Sequence, residues 1–113
     1  MKKIYVIATL QVEGIHCWKE CPFESVKFLK DPHRHIFHIE VQKEVFHDDR
    51  DIEFIILKRK IFYYLESKYK KGDCLDFDTM SCEMIARELL DTFNLDSCKV
   101  MEDNENGALI VKQ

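Results

Sequence analysis

Glycine and proline are scarce in this chain, with 3 Gly and 2 Pro among 113 residues. That scarcity argues against long flexible linkers, and the length fits one domain, residues 1–113, around a single core. Long apolar runs are missing too, and nothing approaches the ~18 apolar residues of a membrane span. The opening MKKIYVIATL resembles a secretory signal, but Gln11 and Glu13 interrupt it and no small-residue cleavage site follows. Positive charge is in deficit, 17 Lys and Arg against 21 Asp and Glu, for a net charge of −4. A dedicated nucleic-acid binder needs a basic surface for phosphates, so that partner class is disfavoured. Cysteine is present but odd in number, at positions 17, 21, 74, 82 and 98. Without secretory signs, this pattern reads as reduced thiols in a cytoplasmic protein rather than a disulfide framework.

What is present is alternation. From Lys3 to Glu13, the residues Ile4, Val6, Ala8, Leu10 and Val12 share one face of a strand, while the other face grows polar. The strand is expected to run to about His16, with Gly14 permitting a bend. Residues 17–32 have no clear period and read as a loop. A second strand follows from His33 to Val45, with Phe37, Ile39, Val41 and Val45 on the face of His33 and His35. Helical spacing of Phe54, Leu57, Ile61 and Leu65 predicts a helix over Glu53–Lys70, stopped at Gly72. Ser81 is a good N-cap for a second helix that carries Met84, Ile85, Leu89 and Phe93 inward and ends near Asn94. Two short strands, Lys99–Asp103 and Ala108–Lys112, flank a hairpin signal at Asn104–Gly107. The order β-β-α-α-β-β predicts an α+β fold, an antiparallel sheet with two helices on one face.

Three histidines occupy meaningful positions in this scheme. By parity His16 ends the apolar face of the first strand, and His33 and His35 open the same face of the second. If the two strands form an antiparallel hairpin, the three imidazoles converge. Three neutral imidazoles around zinc leave one coordination position open, the arrangement of a catalytic site. The competing reading is an incidental H-x-H pair at a wet strand end and a core histidine. A structural finger from Cys17, Cys21, His33 and His35 is disfavoured, since it lacks C-x2-C spacing.

These residues also carry a resemblance. His16, then His33-Arg34-His35 followed by IFHIEV, resembles the zinc motif of the 6-pyruvoyl-tetrahydropterin synthase and 6-carboxytetrahydropterin synthase family. IEFIILKRKI (Ile52–Ile61) is similar to the family's entry into its first helix. SCEMIARELL (Ser81–Leu90) is similar to its P-T-[AS]-E-N-[LI]-A helix start, and VMEDNENGAL (Val100–Leu109) to its final hairpin. The matches are collinear over nearly the whole chain. The resemblance implies the tunnelling fold, in which subunits join sheets into a barrel, commonly as a homohexamer. It implies zinc on His16, His33 and His35, and a pterin or purine-like ligand anchored by Glu102. A carboxylate at that position can accept two parallel hydrogen bonds from an amino-pyrimidinone edge. The activity implied is that of a carbon–oxygen lyase on 7,8-dihydroneopterin triphosphate.

The chain departs from the family pattern where protons move. Leu29 stands at the position of the family's cysteine, Phe77 at that of its histidine, and Arg34 replaces the glycine between the two ligands. Cys21 or Cys74, together with Asp76 of the retained Leu75-Asp76 pair, are the candidates left for acid–base work. Ligands and anchor present, with base and partner absent, is a pattern that favours binding over turnover. The alternatives are a catalytically inactive carrier or sequestering module, and an interaction protein with incidental histidines.

Overall fold

The two long alternating segments pair as their periodicity predicts. The computed structural model describes residues 2–113. In it β1 (Ile4–His16) and β2 (His33–Val45) run antiparallel along their whole length, from Ile4 opposite Val45 to His16 opposite His33. Helix α1 (Phe54–Tyr69) follows, then the short β3 (Lys70–Lys71) and β4 (Cys74–Asp78), helix α2 (Cys82–Thr92), and the hairpin of β5 (Ser97–Glu102) and β6 (Asn106–Val111). The strands form one sheet in the order β3-β4-β1-β2-β5-β6.

One face of this sheet is covered by both helices. Ala8, Leu10 and Val12 of β1, Phe37, Ile39 and Val41 of β2, and Cys98 and Val100 of β5 meet Leu57, Ile61 and Leu65 of α1 and Ile85, Ala86 and Leu89 of α2 in a single apolar cluster. Each fully buried Val, Leu, Ile or Phe among them contributes about 1.5–3 kcal/mol. The opposite face stays open, with Tyr5, Ile7, Ile36, Leu109 and Val111 exposed among polar neighbours.

Local chemistry fixes where the helices start and stop. The Ser81 hydroxyl accepts from the Met84 N–H at 3.1 Å and caps α2, as its sequence predicts. At the other end Asn94 takes φ 50°. Leu95 N–H then donates to the Leu90 carbonyl at 2.9 Å, a Schellman ending. Glu53 caps α1 with its own carboxylate, accepting from Ile55 N and Ile56 N.

Several expectations are corrected. The sheet is mixed and six-stranded rather than four-stranded and antiparallel, because β4 pairs parallel with β1. Strands of two and five residues are too short for periodicity to reveal, so Lys70–Asp78 reads as a helix end and loop. Gly72 (φ 70°) accordingly turns the chain between β3 and β4 instead of capping α1. A 3-10 segment, Glu24–Lys30, interrupted at Val26, lies inside the expected loop. Phe54 and Met84, expected inward, are exposed. The β5–β6 turn centres on Asp103 and Asn104, at φ 54° and 57°, two residues earlier than the centre of the Asn104–Gly107 signal. Gly107 is instead needed for close approach, since a Cβ there would lie 1.9 Å from the Val100 carbonyl oxygen.

Candidate metal centre

The end of β1 and the start of β2 stand side by side, and Glu102 at the end of β5 is the next residue across, opposite Phe37. Alternation therefore puts His16, His33, His35 and Glu102 on the helix-covered face at one end of the sheet. Phe37 forms the floor. Its ring lies edge-on to His16 at 5.2 Å and to His35 at 5.8 Å between centroids.

One donor atom from each of His16, His33 and His35 lies within 4.8 Å of the others, so the three can hold a metal ion. The hydrogen bonds behind the rings select that atom. His16 Nδ1 donates to the Met80 carbonyl at 2.7 Å, His33 Nδ1 to the Asp31 carbonyl at 2.8 Å, and His35 Nδ1 to Asp103 Oδ2 at 2.7 Å. Each oxygen acceptor requires a proton on Nδ1, which leaves Nε2 of a neutral ring as the lone pair. The Nε2 atoms of His16 and His35 are buried and have no hydrogen-bond partner. Buried polar atoms are seldom left so, and here two of them border the same space. A neutral imidazole with its second nitrogen held by an oxygen is the form in which histidine binds metals, so the residues present fit an ion.

Electrostatics point the same way. Burial holds the His16 imidazole below its usual value, against the upward pull of the Met80 carbonyl and the Glu102 charge; the other two rings add to the lowering. The His35 Nδ1–H and the Ile36 N–H both bind Asp103 and hold its carboxyl low. Glu102 Oε2 lies 2.9 Å from His16 Nε2 and Oε1 lies 3.4 Å from His35 Nε2.

The centre opens into a cleft of about 520 Å³ between the sheet end and the start of α2, lined by His16, His33, Glu102, Cys17, Trp18 and Leu29 among others. That is the size of a small-molecule site. Cys82 also lines it, with Sγ 3.7 Å from Glu102 Oε2. Burial first, and then the Glu102 charge, pushes the Cys82 thiol up to about 12, so it stays protonated at neutral pH.

Other sequence-derived candidates lie elsewhere. Cys21 is buried under its own loop, its thiol facing the Phe23 and Val26 carbonyls at 3.7 Å. Asp76 binds the Asp78 N–H and faces Lys71 at 3.8 Å. Phe77 is 1% exposed and packs on Phe37 and Tyr69 in the core. Cys74 is buried beside Arg34 Nη2 at 3.9 Å. Among the described residues all five cysteines are free thiols, and the metal-capable group contains none of them. Sequence reasoning missed Asp103 and the carbonyls of Met80 and Asp31. Asp103 sits beside Glu102 in a turn, where no period signals its partner. Main-chain acceptors have no sequence signature at all.

No family model matches this chain, and no curated protein matches it. Among the described residues no helix is long and apolar enough to cross a membrane.

Proposed function

We propose that this chain is a zinc protein of the pterin synthase type, which holds a pterin or purine-like ligand in the cleft between its three histidines and Glu102. The observation that carries the reading is the set of three Nδ1–H···O bonds, which leaves the Nε2 lone pairs of His16 and His35 buried, unpartnered and bordering one space. An all-imidazole set of neutral donors suits zinc better than calcium or magnesium, which prefer oxygen. Bound zinc supplies Lewis acidity toward a hydroxyl or carbonyl oxygen of the ligand. Glu102, with 29% of its side chain exposed, lies at the cleft wall. Its carboxylate is the acceptor for an amino-pyrimidinone edge, with Phe37 packed beneath the His16 and His35 rings.

Binding without turnover is the reading we favour. Leu29 lines the cleft where the family has its cysteine, and Phe77 is sealed in the core. Cys82, the thiol nearest Glu102, is held protonated and is no base at neutral pH. In a tunnelling-fold assembly, copies would join sheets edge to edge through β3 and β6, and the apolar residues exposed on the open face would line the interior of the barrel.

Elemental analysis of the purified protein tests the metal: one zinc per chain, lost in His33→Ala and in His35→Ala, is expected. Incubation with 7,8-dihydroneopterin triphosphate then separates the activities. Stoichiometric binding with the compound recovered intact supports the binder. Release of triphosphate or a new pterin replaces it with a lyase, and no binding overturns the ligand assignment.

A further inference from the structure

Asp103 has three links to β2 from one turn position. Its N–H donates to the Ile36 carbonyl at 2.8 Å and its Oδ1 accepts from the Ile36 N–H at 2.9 Å. Its Oδ2 accepts from His35 Nδ1 at 2.7 Å. The Glu105 N–H closes the turn onto the Glu102 carbonyl at 2.9 Å, and Asp103 and Asn104 both have positive φ. Positive φ at two successive positions favours Asn, Asp and Gly at both.

The three acceptors behind the histidines differ in kind. Those of His16 and His33 are neutral main-chain carbonyls, while that of His35 is a carboxylate. A carboxylate on Nδ1–H fixes the ring's tautomer and orientation and makes Nε2 a stronger donor to a metal. We propose that Asp103 is the positioning residue of the metal centre: it commits His35 to Nε2 ligation and ties that commitment to the β5–β6 turn. The inference rests on the metal reading above and extends it to a residue outside the ligand set. Its two carboxylate oxygens divide the work, Oδ1 holding the strand and Oδ2 holding the ring.

That division supplies the test. Asp103→Asn keeps the turn, because Asn favours the same φ and its carbonyl oxygen still accepts from Ile36 N–H. Its amide nitrogen then faces His35 Nδ1 and can only donate, so the ring must move its proton to Nε2. Two measurements read this: zinc affinity by competition with a chromophoric chelator, and the His35 tautomer by long-range ¹H–¹⁵N correlation in metal-free protein. The expected result is zinc bound 10- to 100-fold more weakly, with His35 changed from the Nδ1–H to the Nε2–H tautomer and the native circular dichroism of the metal-free protein retained. Wild-type zinc affinity in Asp103→Asn, or an Nε2–H tautomer of His35 in the wild type, overturns the assignment while leaving the metal centre standing. A wild-type protein that takes up no zinc overturns the metal centre itself and this inference with it. Should Asp103→Asn lose its native circular dichroism, the wild-type tautomer alone decides.

Discussion

Oε2 of Glu102 and Nε2 of His16 stand 2.9 Å apart with no hydrogen bond between them. Since His16 Nδ1 carries the proton bound to Met80, two electron-rich atoms face each other in a half-buried space. Such a pair is unfavourable without a cation or a donor between or beside them. The arrangement therefore separates two roles that a substitution can test.

Glu102→Gln should leave zinc stoichiometry at the wild-type value, since the imidazoles keep their lone pairs. It should weaken capture of an amino-pyrimidinone ligand by about 10- to 100-fold, because the amide offers one acceptor where the carboxylate offers two. Calorimetric titration of the zinc-loaded protein with dihydroneopterin measures this. Loss of zinc in the variant would instead make Glu102 a metal ligand.

Gly14 does not bend β1; it makes room. A Cβ there would lie 2.8 Å from Phe77 Cε2 and 2.9 Å from Phe37 Cε2, both ring atoms of the packed core. Gly14→Ala should lower stability by about 1–3 kcal/mol, seen as a reduced denaturation midpoint. Because the Phe37 ring is the floor beneath His16 and His35, zinc affinity should fall with it. Gly14→Ala combined with Phe77→Leu should recover part of the stability.

Between the helices, Glu88 accepts from Tyr69 Oη at 2.6 Å, Tyr64 Oη at 2.7 Å and Lys68 Nζ at 3.0 Å. Burial raises the Glu88 carboxyl, but these three donors outweigh it and hold it below its usual range. Burial and then the bond to Glu88 push the Tyr69 phenol from 10.0 up to about 12. The unfolded chain binds a proton to Glu88 more readily than the fold does, so this carboxylate's contribution is lost as pH falls below about 4.5. For Tyr69 the fold binds the proton more readily, so its contribution is full below pH 10 and lost between about 10 and 12. Tyr69→Phe should cost about 1.5 kcal/mol at neutral pH. It should also flatten the alkaline limb of a stability-versus-pH curve measured by urea denaturation, and an unchanged slope there would exclude a stabilising Tyr69–Glu88 bond.

Legibility in the sequence follows the range of the interactions involved. Residues Ile4–His16 and His33–Val45 show their period of two locally, so the paired strands, their inward faces and the placement of His16, His33 and His35 on one face were all readable. Ser81 and the Leu57–Ile61–Leu65 spacing were readable for the same reason, being contacts within one helical turn. The segment Lys70–Asp78 was not. Its strands are short, and β4 is a strand only because β1 lies beside it.

At the site the division is the same. Residue type and parity alone give three histidines that can converge, and a glutamate on the same face at the end of β5. For His16 and His35, tertiary structure alone decides which nitrogen is free, through the Met80 carbonyl before α2 and an Asp103 carboxylate 68 residues along the chain from His35; the His33 ring meets the Asp31 carbonyl two residues before it. Tertiary structure also decides that Cys21, Asp76 and Phe77 stay out of the cleft while Cys17, Leu29 and Cys82 line it. Periodicity fixes the direction in which a side chain points. The proton on an imidazole is fixed by whichever oxygen the folded chain brings within 3 Å, and no local pattern encodes that.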